Sequence, residues 1–114
     1  MEFWQSLALT ETDELIELAI TAEEVGFAGV TISDHLATPE TIRSRYPYTA
    51  DGQPMWAPSD DFPDPWVLIA SMAAETERIR FMPFVYVLPL RDPFSVAKVV
   101  ASAATLSQDR VVLG

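Results

Sequence analysis

Runs of apolar and β-branched residues alternate along the chain with segments whose apolar positions recur at helical spacing. Glu2 to Leu9 reads as a first strand, and Thr10 or Thr12 as the N-cap of a helix with an acidic first turn, Glu11, Asp13 and Glu14. Leu15, Leu18, Ala19, Ala22 and Val25 then fall on one helical face, and Gly26 stands where a C′ glycine would end it. Phe27 to Ser33 is apolar without alternation, the pattern of a strand covered on both faces. Asp64-Pro65 and Asp92-Pro93 each open a helix with an acidic N-cap and a proline in the first turn. The first is expected to reach about Glu77, burying Leu68, Met72 and Ala73 or Glu75. The second is expected to reach about Ser107, burying Val96, Val99, Val100, Ala103 and Leu106. Strand three is expected over Ile79 to Val87 and strand four over Arg110 to Leu113, with a local irregularity at Pro83, which cannot donate to a ladder, or a later start of strand three.

This order, βαβαβαβ, predicts an α/β fold of parallel strands joined by right-handed crossovers. A doubly wound sheet and part of a (β/α)8 barrel both satisfy it. No G-x-G-x-x-G and no P-loop follows the first strand, which weakens the doubly wound alternative. Residues 1–114 are therefore expected to form a single incomplete domain, the N-terminal half of a (β/α)8 TIM barrel. Between strand two and the second helix, residues 36–64 hold five prolines and the aromatics Tyr46, Tyr48, Trp56 and Phe62. A loop of that length is commonly a lid or a disordered segment, and the aromatics favour an ordered lid.

Charge narrows the partners. Seventeen acids against seven bases give a net charge of −10, which argues against nucleic acid or an anionic membrane, since both reward clustered Lys and Arg. With no cysteine, disulfides and thiolate chemistry are excluded. The longest apolar run, FMPFVYVLPL, holds ten residues and two prolines, short of a membrane span, and the N-terminus lacks a basic leader region. A soluble, cytoplasmic protein is expected.

In parallel α/β folds, ligands lie beyond the carboxyl ends of the strands. Asp34 and His35, the chain's only histidine, end strand two, and Tyr86 to Pro89 end strand three. Imidazole is the natural proton carrier near neutral pH. Spacing alone leaves two readings open: a reactive pair, or a loop-capping acid with a packed histidine. The stretch VYVLPLRDP reads as a connecting loop. The acids Asp60, Asp61 and Asp64 have no histidine or cysteine beside them, and no metal is expected.

Several stretches taken together resemble the N-terminal half of the luciferase-like monooxygenase superfamily of flavin- and deazaflavin-dependent barrels. They are AEEVGFAGVTISDH, YPYTADG, DPWVLIASMAAETERIRF and VYVLPLRDPFSVAKVVASAATLSQDRVVLG. YPYTADG and SDH look most like the subgroup that uses the deazaflavin coenzyme F420. The resemblance implies an oxidoreductase transferring hydride to or from a small organic substrate, with F420 as coenzyme and FMN as the alternative. It implies Asp34 and His35 beside the coenzyme, His35 as catalytic acid or base, and a cis-peptide bulge at Tyr86-Val87 supporting the ring. Tyr46, Tyr48 and Trp56 would belong to a loop over the substrate. The family's later barrel loops, which hold coenzyme phosphates, have no counterpart in these residues, so the chain by itself is expected to be inactive. A non-catalytic half-barrel pairing with another chain, as a homo-oligomer or through its open edges, is the reading from a different class.

Overall fold

The computed structural model describes all of residues 1–114. Six regular elements follow in order: β1 (Trp4–Ser6), α1 (Leu15–Glu24), β2 (Gly29–Ile32), α2 (Pro65–Ala74), β3 (Arg80–Pro83) and α3 (Pro93–Leu106). The strands form one parallel sheet in the order β1-β2-β3. Gln5 pairs with Val30 and Val30 with Phe81, so neighbours in sequence are neighbours in space. This is the parallel α/β arrangement expected.

All four strands are shorter than the apolar runs that contain them. β1 is cut back because the chain bends after Leu7, where the Ala8 amide turns onto the Ser6 hydroxyl and Leu9 adopts a positive φ of 59°. β3 stops at Pro83, although Phe84 still donates to Ile32 O at 2.8 Å. Strand four is reduced to a single parallel bridge between Phe81 and Val111, flanked by Phe81 N to Arg110 O and Val112 N to Phe81 O, both 2.8 Å. Hydrophobicity marks which residues are buried; it does not mark where the hydrogen-bonded ladder ends.

The core lies between the sheet and the helices. Val30, Ile32, Ile79 and Phe81 meet Leu15, Ala19 and Ala22 of α1 and Trp66, Leu68, Ile69 and Met72 of α2, all buried. Leu18 and Val25, expected on the inner face of α1, are exposed, because the buried stripe is narrower than the apolar pattern. Leu106 of α3 is exposed too, and Val99 and Val100 are half-buried. Gly29 sits under the Trp4 ring: a Cβ there would lie 2.2 Å from it, so only glycine admits the stack.

Helix starts show which signals act locally. Asp64 accepts from the Trp66 and Val67 amides at 2.9 and 3.3 Å, and Asp92 from Ser95 N at 2.8 Å, as expected for N-caps. Neither Thr10 nor Thr12 caps α1. A 3-10 turn over Thr12–Glu14 leads into that helix with no side-chain cap. Gly26 ends it with φ of 90°.

At the amino ends of the strands, a half-buried carboxylate and a buried guanidinium lock helices to sheet. The Glu23 carboxylate at the end of α1 accepts from the amides of Glu77, Arg78 and Ile79 at 3.1, 2.5 and 2.7 Å. Arg110 donates to Ala73 O, Ser107 O and Thr76 Oγ1 at 2.8, 2.7 and 2.9 Å, and its guanidinium stacks 5.3 Å from the Phe81 ring.

Candidate functional site

At the opposite, carboxyl end of the sheet the strands deliver their side chains to a rim. Side chains alternate along an extended chain, and beyond β2 this separates neighbours. Asp34 turns into the protein with its side chain 1% exposed, while His35 joins the cleft. The cleft measures about 290 Å³. It is lined by Ala8 and Leu9 from β1, Ser33 to His35 from β2, Phe84, Val85 and Val87 from β3, and Tyr46, Met55, Trp56 and Phe62 from the long loop.

His35 is held by aromatic faces. Its ring centroid lies 4.2 Å from that of Phe62 and 4.8 Å from that of Trp56. Trp56 in turn meets Tyr46 edge to face at 5.2 Å, and Tyr46 meets Tyr48 at 5.5 Å. Such pairs contribute about 0.5–1.5 kcal/mol each beyond area burial, so the loop is tied down over the rim. It also holds itself. Arg45 donates to Ala50 O at 2.7 Å, Tyr46 N to Gly52 O at 2.7 Å and Thr49 Oγ1 to Gln53 O at 2.6 Å. These contacts lie within residues 36–64, which hold no helix or strand.

Beyond β3 the chain departs from the expected positions. The non-prolyl cis bond is Phe84-Val85, not Tyr86-Val87. The reason is length: β3 ends at Pro83, so the chain leaves the ladder earlier than the apolar run suggests. Tyr86 is correspondingly buried, meeting Trp66 of α2 edge to face at 5.4 Å, and does not line the cleft. Phe84 and Val85, more than 60% exposed, form the apolar wall with Val87.

Asp34 lines the back of the cleft, and its carboxylate is engaged by the segment after β3. Its carboxylate accepts from Arg91 Nη2 at 2.6 Å and Nη1 at 2.8 Å, and from the Val87 amide at 2.9 Å. Arg91 also donates to Val87 O at 3.2 Å and lies 4.3 Å over the Tyr86 ring. Burial opposes the charge on Arg91, but its hydrogen bonds and Coulomb attraction to Asp34 outweigh that and raise its pKa above the ordinary arginine value. Paired with Arg91, Asp34 brings no uncompensated charge to the rim.

The structure thus brings His35, Val87, Tyr46 and Trp56 together around one cleft, with Asp34 behind them. Tyr86 is withdrawn into the core, and Tyr48 stands 82% exposed outside the cleft. Sequence reading passed over Arg91, Phe84, Val85, Met55 and Phe62 as site residues. Arg91 carried a signal, a lone base directly after an apolar strand end, but a loop reading absorbed it. Asp60 and Asp64 act as local hydrogen-bond acceptors, for Ala57 N at 2.8 Å and for the start of α2. No group of three His, Asp or Glu side chains is placed to hold a metal ion. No helix is long and apolar enough to cross a membrane.

Known proteins are similar to this chain in sequence and fold. An uncharacterized protein of Mycobacterium tuberculosis is 41% identical over 114 residues, covering 100% of this chain and 40% of its own. A second uncharacterized protein of that organism is 32% identical over 96 residues. The 3,6-diketocamphane 1,6-monooxygenase of Pseudomonas putida is 26% identical over 99 residues, 87% of this chain and 21% of the enzyme. The chain spans 40% or less of the length of these curated relatives. Among solved structures, the oxygenating constituent of the P. putida 3,6-diketocamphane monooxygenase, a type II Baeyer–Villiger monooxygenase in complex with FMN, superposes with a TM-score of 0.73. Its identity is 23%, over 100% of this chain and 29% of that one. Monooxygenase RslO1 from Streptomyces bottropensis gives 0.72 at 25% identity, over 100% and 32%. The sheet and its rim therefore correspond to the N-terminal part of such barrels. With the family model for luciferase-like monooxygenase matching residues 3–114, the chain belongs to the luciferase-like monooxygenase family.

Proposed function

We propose that the complete protein carrying residues 1–114 is an oxidoreductase that holds a flavin-type ring at this rim, with coenzyme F420 as the first candidate. One observation carries the reading: a cleft at the carboxyl ends of parallel strands pairs an exposed apolar wall, Phe84, Val85 and Val87, with the chain's only imidazole. Exposed apolar side chains at the floor of a cleft suit a flat aromatic ring, which covers them without asking for hydrogen bonds. Phe84, Val85 and Val87 would hold one face of the ring, and His35 would stand at its edge. When bound, a deazaflavin supplies hydride transfer, and with carbon in place of the flavin's oxygen-reactive nitrogen it reacts little with dioxygen. His35 would give or take the accompanying proton at an imidazole nitrogen, steadied by Trp56 and Phe62. Tyr46, Met55 and Trp56 would exclude water and shape the space for a small organic substrate.

F420 is favoured by the likeness of YPYTADG and SDH to its users. FMN is the second reading, supported by the likeness to the P. putida monooxygenase and by the FMN-bound relative. Separate fluorescence titrations of the complete protein with F420 and FMN decide between them. At least ten-fold tighter binding of F420 is expected. The reverse order would give the site to FMN, and binding of neither at millimolar concentration would remove the proposal.

A further inference from the structure

We infer that Arg91 and Asp34 are a pair of positioning residues, a clamp that fixes His35 and the Val85–Val87 wall relative to each other. The inference rests on the proposed reading for what the wall holds. Its geometry stands by itself.

Asp34 and His35 are consecutive, so whatever immobilises the Asp34 side chain also sets the direction in which His35 leaves the backbone. Three donors converge on the Asp34 carboxylate: two guanidinium nitrogens at 2.6 and 2.8 Å and the Val87 amide at 2.9 Å. A two-pronged guanidinium–carboxylate pair defines a plane as well as a distance. Arg91 returns to the same peptide segment, donating to Val87 O at 3.2 Å. Val87 is thus held at both its N–H and its C=O, one by each member of the pair. The guanidinium is also pressed 4.3 Å from the Tyr86 ring, which packs on Trp66, so the clamp is seated on α2. With side-chain exposures of 10% for Arg91 and 1% for Asp34, the pair lies beneath the rim. Three of the roughly four acceptor positions of the carboxylate are taken by Val87 and Arg91, which leaves little of it for the polar edge of a coenzyme. Asp34 is therefore a positioning residue, and the partner through which it works lies on the segment after β3.

The test uses the complete protein and its Arg91→Lys, Arg91→Met and Asp34→Asn variants. Lysine keeps the charge but loses the planar fork. Asparagine keeps one acceptor oxygen but turns an amide N–H₂ toward donors. The first readout needs no coenzyme: the NMR shifts of the His35 ring protons, assigned with His35→Gln, which report the ring currents of Trp56 and Phe62. A clamp predicts that all three variants move these signals and speed Val87 amide exchange at least ten-fold, at temperatures where far-UV circular dichroism is native. The second readout is the Kd for F420 and for FMN. Here the clamp predicts weakening of roughly ten-fold in Arg91→Lys as well as in Asp34→Asn. Unmoved His35 signals in Arg91→Lys would overturn the inference, as would loss of coenzyme binding in Asp34→Asn with Arg91→Lys unaffected, the sign of direct contact. If the wild type binds neither coenzyme, the proposed function fails while the NMR comparison still judges the clamp. If Arg91→Met does not fold, Arg91→Lys carries the test.

Discussion

Charged groups are buried at both ends of this sheet, and they are satisfied in different ways. At the amino end, Glu23 and Arg110 turn mainly to backbone. Glu23 takes three amides ahead of β3, and Arg110 takes the carbonyls at the ends of α2 and α3. These are the groups that any helix end or strand start leaves without partners, so the two charges finish the secondary structure and nothing more. At the carboxyl end Asp34 meets a side chain, Arg91, and beside it His35 is held by aromatic faces over a cleft. One end uses charge to close the fold; the other pairs it side chain to side chain beside the cleft. In barrels of this kind, residues at the amino end support stability and those at the carboxyl end support chemistry.

Substitutions should separate the two ends. The largest effect is expected at the rim and in rate. If His35 moves the proton, His35→Ala should lower kcat by about 10²- to 10⁴-fold, with a melting temperature within a few degrees of wild type. Near-normal turnover in that variant would return His35 to a packing role. Next comes the amino end, where Arg110→Met should leave several buried acceptors without donors and destabilise by roughly 2–4 kcal/mol. Urea unfolding measures this, and a loss below 1 kcal/mol would mean the carbonyls find water instead.

Glu23→Gln should cost less, about 1–2 kcal/mol, since the amide keeps one acceptor for the same N–H groups. This site also has a pH signature. Burial alone would raise the Glu23 pKa, but the amides of Arg78, Ile79 and Glu77 outweigh it and lower the pKa below 4.5. A depressed carboxylate contributes its full stability above the unfolded pKa and loses it as pH falls through the folded value. Below about pH 4.5 the wild type should lose the advantage it holds over Glu23→Gln at neutral pH. The smallest effect is expected at Asp92→Ala, which removes a helix cap and should lower the urea midpoint less than Glu23→Gln does.

The same contrast explains what could be read from the chain. Asp64 and Asp92 were legible because a cap and the amides it serves lie within three residues. The parallel order was legible because each apolar run is separated from the next by a helix-length pattern. The stretch 36–64 was legible as a connection without regular elements. Strand ends were not, since the apolar run continues past the last ladder bond in β1 and β3. Tyr86 was misplaced for the same reason: the chain leaves the ladder after Pro83, and side-chain alternation no longer fixes the face. Arg91 was the hardest to read. Its partner Asp34 is 57 residues away, and only the finished sheet brings the two together.

That separation has a kinetic side. The ladder between β2 and β3, from Gly29 paired with Arg80 to Ile32 paired with Pro83, is itself a contact across a long intervening chain, and closing such a loop is slow compared with local turns. The Asp34–Arg91 bonds lie just past the end of that ladder, so the entropy of bringing the two segments together is already spent when they form. Assembly of the rim is then the final, inexpensive step of folding. Variants of Arg91 or Asp34 should accordingly speed unfolding while leaving the refolding rate within about two-fold of wild type, the behaviour of residues whose contacts form after the transition state.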